Sequence, residues 1–306
     1  MTSPVIFSNV EELKQDEELK NHCTIGVGGK AKYFIEPTSL KNLREIIDIA
    51  KNNKLKYKII GNGTNILPSD SGYNGLIICT KKLNGIFFQQ ETVKAMAGAR
   101  IKELFDFCFQ NNLGGLEKIY QIPATIGGAI KMNAGCFGGN ISDFLVYVET
   151  LKDGKIIRYD KSDCGFGYRT SRFSLENEVI VGAVFKFFSA EKIGIANLAF
   201  HYNNLRKNSQ PKGKTFGSIF KNPKGYFAGK LIENVGLKGK KIGGAIISNK
   251  HANFIINNKN ASSEDIYNLI RLAKQKVKQK YDISLQEEID YIGEFNDTNG
   301  GLSYTH

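Results

Sequence analysis

The sequence lacks the features by which membrane insertion and export are usually recognised. No run of apolar residues approaches the roughly 18 that a membrane-spanning helix needs, so we expect no membrane insertion. The N-terminal segment turns acidic where a signal peptide carries its basic end and apolar stretch. We therefore expect a cytoplasmic protein that is not exported.

Cysteine and histidine are scarce and scattered. The five cysteines are an odd number, lie far apart and include no CxxC pair. Such usage favours free thiols in a reducing compartment over a disulfide framework. The four histidines are equally dispersed. We therefore expect no metal site, because no group of side chains has the spacing of metal ligands.

What is present is the composition of an ordinary globular protein, with 41% hydrophobic and 24% charged residues. A length of 306 residues exceeds the usual size of a single domain, so more than one domain is expected. The net charge of +12 raises the question of nucleic-acid binding. The lysines are spread along the chain, however, and no nucleic-acid-binding module is recognisable, so no nucleic-acid partner is expected.

Periodicity predicts short strands that alternate with amphipathic helices in the first two thirds of the chain. Helices are predicted at 40–51, where Ser39 can cap the N-terminus, and at 101–110. The turn at 152–155 is expected to join two strands as a hairpin. Strands are predicted at 56–60, 75–79, 92–97, 144–151, 156–159 and 179–188.

Between 189 and 211 the periodicity is lost and asparagine and lysine become frequent, so we expect a domain boundary there. Beyond it the pattern predicts a further unit of helices and strands. Its elements are a helix at 227–235, strands at 243–248 and 253–256, a long amphipathic helix capped by Ser262 or Ser263, and a last strand at 283–292.

A glycine-rich segment, Gly61-Asn62-Gly63-Thr64-Asn65, follows a predicted strand directly. The two glycines allow backbone conformations closed to other residues, so successive amides can face one way and hold a pyrophosphate. The segment lacks the GxGxxG fingerprint and the lysine of a P-loop. Taken alone, it is also compatible with a plain tight turn.

Two other segments offer groups suited to binding anions. Residues 122–135, IPATIGGAIKMNAG, place amides next to small side chains, a surface that a flat ring or a pyrophosphate can approach. Residues 164–173, CGFGYRTSRF, surround Arg169 with aromatic and hydroxyl side chains. The forked donors of Arg169 suit a carboxylate or a developing enolate, although a surface ion pair is an alternative for a single arginine.

Two segments in the last third of the chain contain candidate proton-transfer groups. Ser218 lies in GSIFKNP at 217–223, and Glu288 lies in LQEEIDYIG at 285–293. Without further context, Ser218 could be a turn hydroxyl or a helix cap, and Glu288 a surface glutamate. No GxSxG motif surrounds Ser218, which disfavours nucleophilic hydrolase chemistry.

Together, in this order and at these separations, the five segments resemble the UDP-N-acetylenolpyruvoylglucosamine reductase family from about residue 21 to residue 293. The resemblance implies an α+β protein with a two-subdomain FAD-binding fold of the vanillyl-alcohol oxidase type, followed by a C-terminal α+β substrate-binding domain. The implied domains are an FAD-binding domain at 20–192, with subdomains at about 20–72 and 73–192, a C-terminal domain at 205–295, and a frayed tail at 296–306.

The same resemblance implies the reaction and its participants. FAD is expected to bind without a covalent bond, with NADPH as co-substrate, and the reaction is the reduction of UDP-N-acetylglucosamine enolpyruvate to UDP-N-acetylmuramate for the bacterial cell wall. Arg169 and Glu288 are implied to stabilise an enolate and Ser218 to donate a proton. Substrate contacts are implied for Tyr168, Lys221 and Asn222. The cofactor contacts implied are Gly61, Asn62, Gly63, Thr64, Asn65, Ile66, Thr125, Ile126, Gly127 and Gly128.

The chain departs from the family pattern at several positions. Cys23 replaces a threonine, and glycine is more frequent in the family at Gln121 and Ala124. Around Glu288, a glutamate, a proline and an arginine of the family are replaced by Gln286, Glu287 and Asp290.

The sequence is also compatible with other interpretations. Some relatives of the wider fold bind flavin covalently through histidine or cysteine, but this family does not, so His22 and Cys23 are assigned no role. Another FAD oxidoreductase of the same fold, acting on an alcohol or hydroxy acid, would not need Ser218. A basic nucleic-acid-binding protein is a more distant alternative. We expect the shorter structural type of the reductase, because no tyrosine-bearing insertion lies between 188 and 209, and we expect a monomer.

Overall fold

A computed structural model of the chain describes residues 12–174 and 178–295, so the tail predicted at 296–306 lies outside the described residues. The chain divides into two compact units, each built from several segments. The first unit comprises Met1–Lys14, Phe34–Asn62 and Leu76–Arg206, and the second comprises Gln15–Tyr33, Gly63–Gly75 and Lys207–His306.

Six α-helices lie within the described residues: α1 Leu40–Asn52, α2 Ile101–Gln110, α3 Ile126–Lys131, α4 Lys192–Ser209, α5 Ala228–Asn234 and α6 Ser263–Tyr281. Short 3-10 helices occupy Leu19–His22, Thr80–Lys82, Ile141–Phe144, Lys161–Cys164 and Arg172–Ser174. In the part of the chain that the structure describes, no helix combines the length and the apolar character needed to cross a membrane.

Eighteen strands, most of them short, lie in the same described ranges. They are β1 Lys14–Glu18, β2 Lys30–Ile35, β3 Tyr57–Ile60, β4 Ile66–Pro68, β5 Tyr73–Cys79, β6 Ile86–Gln89, β7 Thr92–Met96, β8 Leu113–Gly114, β9 Gly135–Cys136, β10 Gly139–Asn140, β11 Leu145–Lys152, β12 Lys155–Asp160, β13 Val179–Phe185, β14 Phe188–Ser189, β15 Lys241–Ile242, β16 Ala245–Ile247, β17 Ile255–Asn257 and β18 Asp290–Ile292.

An antiparallel sheet with the order β12-β11-β13-β7-β6 forms the centre of the first unit. Its middle strand β13 is buried along its whole length, and helices α2 and α3 contribute to the same core. The predicted hairpin is confirmed, since Lys152 pairs with Lys155 across the turn. Asp153 and Gly154 have φ values of 46° and 72°, the left-handed conformation that a two-residue hairpin turn requires.

The helices predicted at 40–51 and 101–110 are both confirmed. Ser39 caps α1, because its hydroxyl oxygen accepts a hydrogen bond from the Asn42 amide at 3.1 Å. The apolar stripe of α1 is buried over Leu43, Ile46, Ile47 and Ala50. The spacing of the apolar residues therefore predicted both the helix and its buried face.

In the second unit, α5 and α6 share a core with the three-stranded antiparallel sheet β15-β16-β17. Ser262 caps α6, as one of the two predicted alternatives, and its hydroxyl oxygen accepts from the Asp265 amide at 3.0 Å. A separate parallel pair joins β18 to β4, with Asp290 opposite Ile66. This pair connects the glycine-rich segment to the end of the second unit.

The structure differs from the sequence-based expectation in three places. The segment 189–211, which was predicted only as a boundary without periodicity, contains helix α4. The apolar periodicity of α4 is weak because its apolar residues lie on all sides of the helix. Ile195 and Ala199 are buried, whereas Ile193, Leu198 and Phe200 are exposed. The strand predicted at 179–188 ends at Phe185, and Phe188 pairs separately with Gly114.

The prediction of one continuous strand at 283–292 was wrong, because only Asp290–Ile292 forms β18. The residues before it are held by individual backbone hydrogen bonds and one isolated bridge, between Phe220 and Glu287. Alternation of apolar and polar residues predicts extended backbone, but it cannot distinguish a ladder from a single bridge.

Candidate active site

In the first unit, the start of the glycine-rich segment lies against the second small-residue loop. A Cβ atom on Gly61 would lie 2.1 Å from the Thr125 hydroxyl oxygen, so a side chain cannot be accommodated without rearrangement. The Asn62 side-chain amide donates a hydrogen bond to the Pro123 carbonyl at 2.9 Å. The structure thus brings Gly61 and Asn62 together with the loop that was predicted to bind the same cofactor.

Helix α3 begins in that loop, and Thr125 is its N-cap, accepting from the Gly128 amide at 3.4 Å. The amides of Ile126 and Gly127 donate to the carbonyls of Ala99 and Ala97, at 2.7 and 2.8 Å. These two amides are therefore used within the protein and hold α3 in place. The Gly128 amide is also used, by Thr125, but Gly128 itself is exposed. An added Cβ there would meet only the Thr125 hydroxyl, at 3.5 Å.

In the second unit, Gly63 is required by local packing. Its φ is +63°, and an added Cβ would lie 1.9 Å from the His22 carbonyl oxygen. The Gly63 carbonyl also accepts from the Thr24 amide at 3.0 Å. The glycine that was predicted to give the backbone freedom for cofactor binding therefore also lets residues 22–24 pack closely against this loop.

His22 and Cys23 are engaged by protein groups near this loop. Burial raises the pKa of the Cys23 thiol, which donates to the Val27 carbonyl at 3.3 Å. The His22 Nε2 atom lies 2.7 Å from a Glu17 carboxylate oxygen. A thiol with a raised pKa is a weaker nucleophile at neutral pH, because less of it is present as thiolate.

The chemistry of the two loops fits FAD. Residues 61–66 and 122–131 contain no aspartate or glutamate, so the loops present no carboxylate that would repel a pyrophosphate. Gly128 is exposed on α3, and an added Cβ would be in ordinary contact with the Thr125 hydroxyl at 3.5 Å. Gly61, by contrast, is closed by Thr125 and contributes packing within the loop.

Arg169 occupies a tight turn that is closed by a hydrogen bond of 3.1 Å from the Gly167 amide to the Thr170 carbonyl. Its φ of 54° lies in the left-handed region, which is uncommon for arginine and is concentrated at functional sites. The guanidinium donates to the Gly135 carbonyl at 2.7 Å and lies 5.3 Å from the centre of the exposed Tyr168 ring.

The turn that contains Arg169 is tied to the end of α3. The Asn133 side chain donates to the Gly167 carbonyl at 3.0 Å. The hydroxyls of Ser171 and Ser174 both donate to the Lys131 carbonyl, each at 2.7 Å. Small hydroxyl groups after Arg169 are visible in the sequence, but only the structure shows that they anchor the turn to α3.

In the second unit, Ser218 and Glu288 lie on neighbouring extended segments. The Glu288 amide donates to the Ile219 carbonyl at 2.8 Å, and the Lys221 amide donates to the Gln286 carbonyl at 2.9 Å. The structure therefore brings together the segments of the predicted proton donor and the predicted carboxylate. Arg169 belongs to the other unit.

The segment before β18 separates its two adjacent glutamates. Leu285 and Ile289 are buried in the core of the second unit, and Glu287 forms an ion pair of 2.7 Å with Lys274 of α6. Glu287 therefore faces α6, whereas the Glu288 main-chain amide donates to the Ile219 carbonyl. The two adjacent glutamates therefore have different surroundings.

The Ser218 segment is held from its other side by Asn253, which belongs to none of the five motifs. The Asn253 side chain donates to the Phe220 carbonyl at 2.8 Å and accepts from the Phe220 amide at 3.0 Å. Its own carbonyl accepts from the Ile219 amide at 2.9 Å. No local pattern in the sequence signals this role, since it depends on pairing between distant segments.

Two family models match the chain. One describes an FAD binding domain and covers residues 31–160, and the other describes the C-terminal domain of UDP-N-acetylenolpyruvoylglucosamine reductase and covers residues 209–292. A UDP-N-acetylenolpyruvoylglucosamine reductase from Caldicellulosiruptor bescii is 42% identical over 292 residues, which is 94% of this chain and 93% of the relative. The chain belongs to the UDP-N-acetylenolpyruvoylglucosamine reductase family.

Further relatives agree. A UDP-N-acetylenolpyruvoylglucosamine reductase from Clostridium botulinum is 40% identical over 283 residues, covering 92% of each chain. The crystal structure of the corresponding reductase from Thermus caldophilus superposes with a TM-score of 0.79 at 32% identity, covering 92% of this chain and 98% of that one. The predicted resemblance is therefore confirmed by sequence and by structure.

Membership of the reductase family also confirms the predicted fold class and the predicted cofactor. The chain is an FAD-dependent oxidoreductase, with an FAD-binding domain followed by the C-terminal domain of the reductase. NADPH as co-substrate fits this family. The match to the C-terminal domain of the reductase favours this reductase over another FAD oxidoreductase of the same fold.

Two of the residues that depart from the reductase pattern around Glu288 contribute main-chain hydrogen bonds in this region. The Gln286 carbonyl accepts from the Lys221 amide, and the Asp290 amide donates to the Asn65 carbonyl at 2.9 Å. Such bonds do not depend on the identity of the side chain.

The remaining predicted residues lie close to these segments. Ile66 begins β4, opposite Asp290. Asn222 uses its side-chain oxygen to accept from the Ala228 amide at 3.0 Å, at the start of α5. Asn222 was predicted as a substrate contact, and the structure shows that it also holds the beginning of this helix.

Proposed function

We propose that this protein reduces UDP-N-acetylglucosamine enolpyruvate to UDP-N-acetylmuramate in peptidoglycan synthesis, with Arg169, Ser218 and Glu288 as its catalytic residues. The observation that carries the assignment of roles is the pairing of the Ser218 segment with the Glu288 segment. FAD, when bound, supplies a hydride, obtained from NADPH, to the terminal carbon of the enolpyruvyl group. The residues proposed to hold it are Gly61–Ile66 and Thr125–Gly128.

Arg169 and Glu288 are proposed to stabilise the negative charge that hydride addition creates beside the substrate carboxylate. The planar guanidinium of Arg169 can donate to two oxygen atoms at once, which suits a carboxylate that is becoming an enolate. Its hydrogen bond to the Gly135 carbonyl and the tight turn fix its direction before substrate arrives. Such preorganised charge is usually a large contribution to catalysis.

Ser218 is proposed to donate the proton that completes the lactyl ether. The reaction adds one hydride to the terminal carbon and one proton to the neighbouring carbon, so a single acid is needed after hydride transfer. Glu288 is proposed to act on the same intermediate through a proton or a hydrogen bond. The backbone hydrogen bond between Glu288 and Ile219, the residue after Ser218, supports the proposal that Ser218 and Glu288 act on the same intermediate.

The distribution of charge supports anionic substrates. Between Arg206 and Lys259 the chain has twelve lysine or arginine residues and a single carboxylate, Glu233. NADPH and the nucleotide sugar both contain pyrophosphate, and a field of positive charge raises the rate at which such anions are captured. Tyr168, Lys221 and Asn222 are proposed to contact the sugar nucleotide.

We propose a monomer in the cytoplasm, where NADPH and nucleotide sugars are made. Its partners in the reaction are these two small molecules, without nucleic acid.

A two-step absorbance experiment tests the function. The purified protein is expected to show the visible absorbance of oxidised FAD, to lose it on anaerobic addition of NADPH, and to regain it on addition of UDP-N-acetylglucosamine enolpyruvate with formation of UDP-N-acetylmuramate. Absence of flavin, or reduced flavin that the enolpyruvyl substrate does not reoxidise, would contradict the proposal. Reduction by an alcohol or a hydroxy acid would favour another oxidoreductase of the same fold.

A further inference from the structure

The two asparagines of the glycine-rich segment contact different parts of the protein. The Asn62 side-chain amide donates to the Pro123 carbonyl, in the second cofactor loop, at 2.9 Å. The Asn65 side-chain amide donates to the Glu288 carbonyl at 2.8 Å. Both residues were predicted as cofactor contacts from the same motif, yet in the structure the amide of Asn65 is directed to the main chain of the proposed catalytic carboxylate.

Glu288 depends on such contacts because it lies outside a regular ladder. Strand β18 begins only at Asp290. On one side the Glu288 amide donates to the Ile219 carbonyl at 2.8 Å, and on the other its carbonyl accepts from Asn65. The Asn65 carbonyl in turn accepts from the Asp290 amide at 2.9 Å. Asn65 therefore makes hydrogen bonds on both sides of residue 289.

We propose that Asn65 is a positioning residue for Glu288: its side-chain amide fixes the main chain of Glu288 and thereby the direction of the carboxylate. The inference rests on the proposed function, in which Glu288 acts on the enolpyruvyl intermediate. It assigns to one residue of the cofactor motif a task in the second half-reaction, in which the flavin is reoxidised by the enolpyruvyl substrate.

The substitution Asn65→Asp tests this task, because aspartate has the same shape but its carboxylate cannot donate to the Glu288 carbonyl. Because Asn65 also lies in the segment proposed to hold FAD, FAD content and the rate of flavin reduction by NADPH are measured on the same full-length protein, and the FAD-loaded fraction is used for the comparison. Reoxidation by UDP-N-acetylglucosamine enolpyruvate is expected to slow by about 10²-fold, since a displacement near 1 Å of a catalytic group has that effect. The three quantities are measured by flavin absorbance and anaerobic stopped-flow.

Two matched variants identify the source of any loss. Asn62→Asp removes the equivalent donor toward Pro123, and its effect is expected on FAD affinity. Asn53→Asp removes a side-chain amide that donates to the Ile49 carbonyl at 2.8 Å at the end of α1, and it is expected to leave both half-reactions unchanged. The three variants make the same chemical change at comparable distances.

Equal slowing of both half-reactions in the FAD-loaded Asn65→Asp protein would overturn the positioning role. Should that variant fail to fold, Asn65→Gln retains an amide donor on a longer side chain, and it is compared with Asn65→Ala. Faster reoxidation in the glutamine variant than in the alanine variant is expected, and equal rates would overturn the proposal. A wild-type protein that does not reduce the enolpyruvyl substrate would instead contradict the proposed function itself.

Discussion

The main-chain amide of Glu288 donates a hydrogen bond of 2.8 Å to the carbonyl of Ile219, the residue that follows Ser218. This bond joins two segments that are far apart in the sequence. It means that a displacement of the segment of the proposed acid also displaces the segment of the proposed carboxylate. The chemistry proposed for Ser218 and Glu288 can therefore be tested by changes at either segment.

Replacing Ser218 by alanine is expected to leave flavin reduction by NADPH intact and to slow reoxidation by the enolpyruvyl substrate by about 10² to 10⁴-fold, the usual effect of removing a general acid. Only the second half-reaction needs a proton at carbon. Stopped-flow measurement of the two half-reactions gives the comparison. Equal slowing of both would show that Ser218 is not the proton donor.

Glu288→Gln and Glu287→Gln are expected to behave differently. Glutamine keeps the shape of Glu288 but cannot ionise, so most of the second half-reaction should be lost while folding and flavin content are retained. Glu287 is paired with Lys274 of α6 at 2.7 Å, and this partly exposed pair should contribute at most about 1 kcal/mol to stability. Steady-state kinetics are measured for both variants. Loss of turnover in Glu287→Gln with normal turnover in Glu288→Gln would place the catalytic carboxylate at residue 287.

Arg169→Lys is expected to weaken both substrate binding and turnover, because a compact ammonium cannot hold two oxygens and the Gly135 carbonyl together. Arg158→Lys is a suitable control, since Arg158 is exposed and pairs with Asp160 on the edge strand β12. KM and kcat are measured for both. Kinetics near those of the wild type in the Arg169 variant would reduce this residue to a structural role.

Valine at Gly128 and alanine at Gly63 should separate cofactor binding from folding. At Gly128 the space around an added side chain is open, so the apoprotein should keep its stability while FAD content falls. At Gly63 a side chain meets the His22 carbonyl, and the positive φ alone costs about 1–2 kcal/mol. Thermal unfolding of the apoproteins and flavin absorbance are the measurements. Full flavin content in the Gly128 variant would exclude contact between FAD and this position.

The stability of the second unit is expected to fall below about pH 6.5, the ordinary pKa of the His251 side chain. Burial lowers the pKa of His251 in the folded protein, and the charge of Lys238 lowers it further, against a smaller opposite effect of Glu233. The unfolded chain therefore binds the proton more readily, so the free energy of unfolding is complete above that pH and decreases as the pH falls.

The same protonation removes a hydrogen-bond acceptor, because His251 Nδ1 accepts from the Asn253 amide at 3.2 Å. Urea unfolding of the wild type and of His251→Gln between pH 8 and pH 5 is the measurement. The variant should have a flatter pH dependence of the unfolding free energy. An identical slope in both proteins would show that His251 does not cause the acid sensitivity.

Elements with a single apolar stripe could be predicted from the sequence. Helices α1, α2 and α6 bury one face each, and their caps and periodicity indicated their positions. Helix α4 could not be predicted in this way, because its apolar residues are spread over all sides of the helix and only Ile195 and Ala199 are buried. The weak pattern reflects packing that involves little of the helix surface.

The sequence by itself determined the family, the glycine-rich segments and the residue types available for chemistry, because motifs of short range need particular side chains and glycines. Only the tertiary structure decided which hydrogen-bond partners those residues have. Asn62 and Asn65 are equivalent in the motif, but the amide of Asn62 contacts Pro123 and that of Asn65 contacts Glu288. These partners are distant in the chain, and the direction of a hydrogen bond between distant segments is set by the register in which they pack, which no local pattern contains.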